Sequence, residues 1–242
     1  MRVAVFSDVH GNLAALEAVL GAIDAETPDT VWCLGDLVGY GPKPNECTAL
    51  VSERVSVCLC GNHDLGVLGT IDLSEFSGDA GAAARWTQTV LEASARSYLE
   101  SLEPQGEAEG IALYHGSARD PVWEYVLSGD AAVATLRLTQ AQIALVGHSH
   151  VALEVRWQDV LVEGGLAAGG TELELDGARW LMNPGSVGQP RDGDPRAAFL
   201  LLDLGTQQAV FHRIEYDIER TQAELREVGL PEALAVRLGL GQ

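Results

Sequence analysis

Short motifs rich in histidine, aspartate and asparagine follow apolar segments throughout the first 150 residues of this chain. Each of these residue types offers a nitrogen or oxygen atom that can bind a divalent cation. A single histidine at a strand end is usually a solvated or core residue, but five of the six histidines lie in these motifs, which predicts a metal site. The motifs are Asp8-Val9-His10, Gly35-Asp36, Gly61-Asn62-His63-Asp64, His115-Gly116 and Gly147-His148-Ser149-His150.

The spacing within two of these motifs suits chelation. Residues two apart in an extended segment point the same way, so Asp8 and His10 are expected to face one site, as are His148 and His150. Mixed imidazole and carboxylate ligands favour manganese, iron, zinc or a similar ion over calcium, which prefers oxygen alone. Glycines beside the ligands allow the tight turns that such a cleft requires.

The elements that position these motifs alternate between short apolar runs and amphipathic stretches, which indicates βαβ units with helices packed on a sheet. Ligands in open α/β sheets collect at the carboxyl ends of strands, where the motifs lie. The pattern predicts helices over 13–23, 44–53, 82–102 and 130–138. It predicts strands over 2–7, 30–34, 55–60, 111–114 and 143–146.

The second half of the chain is predicted to be rich in β-hairpins. Short apolar runs separated by Gly, Asp and Pro predict strands over 151–157, 171–175, 179–182, 198–202 and 209–213. The tail over 217–238 has a helical pattern that is interrupted near Gly229 and Pro231. No repeat or linker divides the chain, so we expect a single domain over residues 1–242.

The composition excludes several classes of function. Hydrophobic residues make up 47% and charged residues 21%, which is typical of a globular protein. The net charge of -20 opposes a broad nucleic-acid surface or binding to an anionic membrane. The four cysteines form no CxxC pair and are expected to be reduced core residues. No leader or membrane-spanning segment is predicted, so we expect a cytoplasmic protein.

The order and spacing of the five motifs resemble the calcineurin-like metallophosphoesterase superfamily. This resemblance spans residues 8–150, and the segments 35–42 and 183–188 are similar to its small bacterial phosphodiesterase-like branch. It implies an α/β fold, a four-layer α/β/β/α sandwich with two divalent metal ions. Manganese is the expected ion, with iron, zinc, nickel or cobalt as alternatives.

The resemblance also implies roles for individual residues. A single carboxylate has two oxygens and can bridge two ions about 3.5–4 Å apart. The implied ligands are Asp8, His10 and His150 for the first metal, Asn62, His115 and His148 for the second, and Asp36 for both. A hydroxide that bridges the metals would attack phosphorus, since metal binding lowers the pKa of water from about 15.7 to about 7.

Four further residues are candidates for roles in catalysis or substrate binding. His63 is not needed as a ligand and is predicted to donate a proton or hydrogen bond to the departing oxygen, with Asp64 orienting its ring. Arg191 is a candidate phosphate contact, with an exposed surface arginine as the alternative. Tyr40 lies in a predicted loop at the cleft rim and could stack on a leaving group. The segment 183–188 is predicted to be a turn, or a set of backbone N–H groups for an anion.

The predicted function is hydrolysis of a small phosphoester, most simply by a phosphodiesterase. The same ligands would serve a protein phosphatase or a dinucleoside-polyphosphate hydrolase. A different class, the non-catalytic protein-binding scaffold, is represented within the same superfamily by a retromer subunit. The full ligand set and His63 argue against that class, and the sequence assigns no oligomeric state.

Overall fold

Two six-stranded β-sheets form the centre of the computed structural model, which describes residues 1–242. The first sheet contains β1 (Arg2–Phe6), β2 (Thr30–Cys33), β3 (Val57–Cys58), β9 (Glu172–Glu174), β11 (Ala197–Asp203) and β12 (Gln208–Ile214). The second contains β4 (Gln105–Ala108), β5 (Ile111–Tyr114), β6 (Ile143–Val146), β7 (Leu153–Gln158), β8 (Leu161–Leu166) and β10 (Arg179–Asn183).

Eight α-helices cover the two sheets. They are α1 (Leu13–Glu26), α2 (Pro44–Arg54), α3 (Asn62–Leu68), α4 (Gly78–Val90), α5 (Ala93–Glu100), α6 (Gly129–Leu138), α7 (Ile218–Glu227) and α8 (Glu232–Leu238). None of them combines the length and apolarity that spanning a bilayer requires.

The strand order brings several carboxyl ends together. The first sheet has the order β3-β2-β1-β11-β12-β9, and β1, β2 and β3 are parallel. The second has the order β4-β5-β6-β10-β7-β8, and β5, β6 and β10 are parallel. Strands β1, β2, β3, β5 and β6 each lead directly into one of the metal-ligand motifs.

Side-chain alternation along β1 separates two layers of core. Val3 and Val5 point into the cluster between the sheets, where Leu113 and Leu145 of the second sheet also lie. Ala4 and Phe6 point the other way, into the cluster beneath the helices of the first sheet. A third cluster packs α6 onto the outer face of the second sheet. The predicted α/β/β/α sandwich is therefore confirmed.

The predicted single helix over 82–102 is wrong, because the chain breaks it into α4 and α5. Leu91 and Glu92 are extended between the two helices. The Asn45 side chain of α2 stabilises this break by donating to the Val90 carbonyl and accepting from the Glu92 N–H, each over 2.9 Å. A contact from a distant part of the chain thus overrides a continuous helical pattern.

Most other elements agree with the predictions to within a few residues, including the interrupted helical tail. The predicted strand over 55–60 is shorter, and the segment 65–78 contains the end of α3 and a 3₁₀ turn at Leu73–Glu75. The edge strands β4 and β8 were not predicted. All residues of β8 are exposed and two are glycines, so the strand has no apolar alternation to identify it. The four cysteines are free thiols, as predicted.

Candidate metal centre

The loops after β1 and β2 run side by side and carry the first ligand candidates. The Asp8 N–H donates to the Gly35 carbonyl and the His10 N–H to the Asp36 carbonyl, each over 2.9 Å. These bonds continue the pairing of β1 with β2 beyond the strands. Asp8, His10 and Asp36 are consequently buried together at the carboxyl edge of the first sheet.

The expectation that Asp8 and His10 lie in an extended segment is wrong, although the two residues do face one site. Their φ angles are 56° and 49°, and His148 and His150 have φ of 63° and 58°. Left-handed backbone costs a non-glycine residue roughly 1–2 kcal/mol. Asp36 also has a positive φ, of 54°, so five of the seven predicted ligands are left-handed. This indicates that the surrounding structure holds them there, which is common at functional sites.

Six of the predicted ligands, those with carboxylate or imidazole groups, form two clusters that share Asp36. Within each cluster the ligand atoms lie within 4.8 Å of one another, and every residue is buried. One cluster contains Asp8, His10, Asp36 and His150, and the other contains Asp36, His115 and His148. These are the two groups that the sequence resemblance implies, with Asp36 common to both.

The geometry of the first cluster fits a cation. The Nδ1 atoms of His10 and His150 face the carbonyls of Val38 and Gln189, at 3.0 and 2.6 Å. A carbonyl can only accept, so each Nδ1 carries the proton and each Nε2 presents a lone pair. The two Nε2 atoms are 3.0 Å apart. Two nitrogens at right angles and about 2.1 Å from one ion would have that separation.

The second cluster has similar support. His115 Nδ1 donates to the Leu34 carbonyl over 2.8 Å, which again leaves Nε2 free. That atom lies 3.4 Å from Asp36 Oδ2 and 3.4 Å from Asn62 Oδ1. His148 has the opposite tautomer, because its Nε2 donates to the Trp123 carbonyl over 3.1 Å and Nδ1 remains as the ligand atom. The amide oxygen of Asn62 thus joins this group.

Asp36 lies at the electrostatic centre of the site. Its Oδ2 is buried without a hydrogen-bond partner and lies 3.5 Å from His10 Nε2. Burial would raise the pKa of Asp36, but the attraction of His115 and His63 outweighs it and holds that pKa well below the usual value. Burial would lower the pKa of His115, whereas Asp36 raises it to about 9, so a cation that binds at Nε2 would displace a proton from this ring. An orphaned anionic oxygen among imidazole nitrogens is the arrangement that a cation satisfies.

His63 lines the same cavity, but Asp64 does not orient its ring as predicted. Asp64 Oδ1 accepts from the Leu37 and Val38 N–H groups over 2.9 and 3.1 Å, and its Oδ2 accepts from the Gly61 N–H over 2.9 Å. The carboxylate therefore ties the start of α3 to the loop after β2. His63 Nδ1 is buried and has no hydrogen-bond partner.

Tyr40 and Arg191, the two predicted substrate contacts, lie side by side at the candidate metal centre. They line a cavity of about 170 Å³ together with Asp36, Asn62 and His63. The Arg191 guanidinium lies 5.5 Å from the centre of the Tyr40 ring, and its Nη2 donates to the Gln189 side chain over 2.9 Å. Its Nε is buried without a partner. Arg191 is half-buried at the cavity rather than a freely exposed surface arginine.

The segment 183–188 supports the ligand loops instead of presenting N–H groups to an anion. The Val187 and Gly188 N–H groups donate to the carbonyls of Ser7 and Asp8, each over 2.9 Å. The Asn183 amide donates to the Gly147 carbonyl over 2.7 Å. The ligand loops after β1 and β6 are thus both held by one buried turn. The sequence did not indicate this role.

Aromatic residues of the cavity also escaped the sequence analysis. Phe76 and Trp123 are half-buried, Tyr125 is exposed, and all three lie in irregular segments. Tyr125 stacks on the His148 ring, with centroids 4.2 Å apart and planes 13° from parallel. Because no periodic element contains these residues, the only available sequence signal was their proximity to the histidine motifs.

Comparison with known proteins identifies relatives across the chain. The model of the calcineurin-like phosphoesterase superfamily domain matches residues 1–207. A metallophosphoesterase crystal structure from Sphaerobacter thermophilus is 40% identical, with a TM-score of 0.90 and full coverage of both chains. An uncharacterised protein of Methanocaldococcus jannaschii is 35% identical over 99% of this chain and 98% of its own. A symmetrical bis(5'-nucleosyl)-tetraphosphatase from Photorhabdus laumondii is 36% identical over 28% of this chain and 26% of its own.

Proposed function

We propose a phosphodiesterase function for this chain, which belongs to the calcineurin-like phosphoesterase superfamily. The family is one of phosphoester hydrolases, and the Asp and His clusters suggest a dinuclear divalent metal site. The observation that carries the proposal is the sharing of Asp36 between the two clusters. One carboxylate shared between two groups of ligand side chains suits a pair of cations, with Mn²⁺ as our first candidate.

The proposed metal ligands are the residues of the two clusters and Asn62. Two bound divalent cations would supply a hydroxide nucleophile at neutral pH and would neutralise charge on the phosphoryl oxygens. The protein groups that hold the imidazoles in place are backbone carbonyls, which fix each ring and its tautomer before substrate arrives. The side chains are therefore already oriented to bind the cations.

Arg191 and His63 are the proposed substrate contacts. Arg191 is the one Lys or Arg side chain that lines the cavity, and it would orient a non-bridging phosphoryl oxygen. A diester carries a single negative charge, which one arginine beside the cations can match. We propose that His63 hydrogen-bonds the departing oxygen or gives it a proton, because its ring lines the cavity beside Asp36 and Asn62.

Hydrolysis of two chromogenic substrates tests the proposal. Protein freed of metal with EDTA and reloaded with Mn²⁺ should cleave bis(p-nitrophenyl) phosphate faster than p-nitrophenyl phosphate. EDTA-treated protein without added metal is the control and should be inactive. Preference for the monoester would make the protein a phosphomonoesterase. If folded, metal-loaded protein cleaved neither substrate, the result would favour a non-catalytic protein-binding scaffold.

A second candidate is hydrolysis of a dinucleoside polyphosphate. The match to the symmetrical tetraphosphatase from Photorhabdus laumondii favours it, although this covers only 28% of the chain. Chromatography of products from diadenosine tetraphosphate would test it. Release of nucleotides at a rate above that for bis(p-nitrophenyl) phosphate would support this alternative, and an intact substrate would reject it.

A further inference from the structure

The mouth of the metal cavity has an aromatic wall, defined here as Phe76, Trp123 and Tyr125. Phe76 follows the 3₁₀ turn before α4, whereas Trp123 and Tyr125 lie between β5 and α6. All three line the same cavity as Asp36 and His148. Two separate loops thus place flat apolar surface next to a site whose other residues are mostly polar.

Contacts join the aromatic wall to the metal centre. The Phe76 and Trp123 rings meet edge to face, with centroids 5.4 Å apart, and Phe76 also lies 4.9 Å from His63. Tyr125 covers the His148 ring and is 48% exposed. A group bound against this wall would therefore lie beside a phosphoryl group held at the proposed metal site.

The size and chemistry of the cavity limit the group that the wall can accept. The cavity has a volume of about 170 Å³, and the aromatic wall lines it together with Asp36, so a substrate whose phosphoryl group binds beside Asp36 would have its remaining part next to the wall. Aromatic faces bind planar rings, and stacking strengthens the binding of a nucleobase by roughly 5- to 100-fold. Glu75 and Ser77 flank Phe76 and supply acceptors and a donor for the edge of such a ring.

We infer that the phosphoester is a nucleotide whose base stacks on the aromatic wall, an inference that rests on the proposed function. An aryl ester shares the flat ring but lacks the polar edge that Glu75 and Ser77 would recognise. The wall would therefore bind a nucleoside more tightly than a plain phenyl group. It would determine substrate choice, while the metal ligands carry the chemistry.

Calorimetric titration of the Mn²⁺-loaded protein with AMP, phenyl phosphate and ribose 5-phosphate tests this inference. AMP should bind at least 5-fold more tightly than ribose 5-phosphate and more tightly than phenyl phosphate. Equal binding of AMP and ribose 5-phosphate would overturn the stacking role. Equal binding of AMP and phenyl phosphate would overturn the nucleotide assignment, since any flat ring would then suffice.

Substitutions assign the effect to the wall. Trp123→Leu and Phe76→Leu should each weaken AMP binding 5- to 100-fold and change ribose 5-phosphate binding less than twofold. Trp157→Leu is the matched control, because Trp157 lies in β7 outside the cavity, and it should change neither. Unchanged AMP binding in both wall variants would refute the inference. Parallel turnover of bis(p-nitrophenyl) phosphate distinguishes this failure from failure of the proposed function, since calorimetry requires no catalysis.

Discussion

Asn183→Leu tests the conclusion that a buried turn holds the metal ligands. Asn183 is fully buried, and its amide donates to the Gly147 carbonyl over 2.7 Å and to Ser149 Oγ over 3.0 Å. Its Oδ1 accepts from the Gly185 N–H over 2.9 Å. Leucine is similar in size but can make none of these bonds. Gly147 and Ser149 flank His148, so the loss acts directly on a ligand loop.

The magnitude follows from the groups left without these bonds. Each buried donor or acceptor that loses its partner costs about 1–3 kcal/mol. The Ser149 hydroxyl and the Gly185 N–H both do so, whereas the Gly147 carbonyl keeps its bond from the Ser149 N–H. The free energy of unfolding in EDTA should therefore fall by about 2–6 kcal/mol. Mn²⁺ affinity should fall by roughly 10- to 100-fold, as is typical when groups behind metal ligands are lost.

Denaturant unfolding and calorimetric Mn²⁺ titration measure the two effects. Asn45→Leu is the matched control, because Asn45 also makes two side-chain hydrogen bonds to backbone, but at the α4–α5 break. It should lose stability and keep its Mn²⁺ affinity. Wild-type Mn²⁺ affinity in Asn183→Leu would refute the role of the turn in positioning His148, whatever happened to stability.

Four further substitutions probe other parts of the site and fold. Asp36→Asn should lower Mn²⁺ affinity at both sites and reduce turnover. The loss of affinity should exceed the roughly 10- to 100-fold that is typical for residues behind a metal ligand. Unchanged turnover would exclude Asp36 as a bridge between two ions. His63→Ala should slow turnover by about 10²–10⁴-fold at unchanged Mn²⁺ stoichiometry, and loss of metal would instead make this residue structural. Gly61→Ala would place a Cβ 2.0 Å from Asp36 Oδ1 and should abolish metal binding, which metal analysis checks; full occupancy would contradict the packing. Burial lowers the pKa of His212, so the contribution of the neutral ring to stability is present above about pH 6.5 and lost as the pH falls. His212→Phe should therefore reduce the loss of stability in acid, measured by denaturant unfolding at several pH values. An unaltered pH dependence would show that His212 does not cause this loss.

Local chemistry made much of the fold predictable from sequence. The alternation of Val3 and Val5 with Ala4 and Phe6 marks a strand buried on both faces, which is how β1 packs. The ligand motifs were recognisable because histidine, aspartate and asparagine beside glycine at successive strand ends form an unusual combination. Both signals depend on residues close together in the chain.

Features that depend on distant contacts could not be predicted in the same way. The α4–α5 break is hydrogen-bonded by Asn45, which lies 45 residues before Val90 in sequence. The Asp64 carboxylate accepts from the Leu37 and Val38 N–H groups instead of orienting the His63 ring as predicted. These partners are also distant in sequence, so local patterns did not indicate them. The left-handed residues Asp8 and His10 are hydrogen-bonded to a separate loop at Gly35 and Asp36, which no local propensity reveals.

A crystal structure of the Mn²⁺-loaded protein with anomalous data tests the central claim most directly. The predicted result is two anomalous peaks about 3.5–4 Å apart, one beside each cluster, with an oxygen of Asp36 ligating both ions. A single peak, or two peaks without a shared contact to Asp36, would contradict the bridged pair on which the proposed hydrolysis depends.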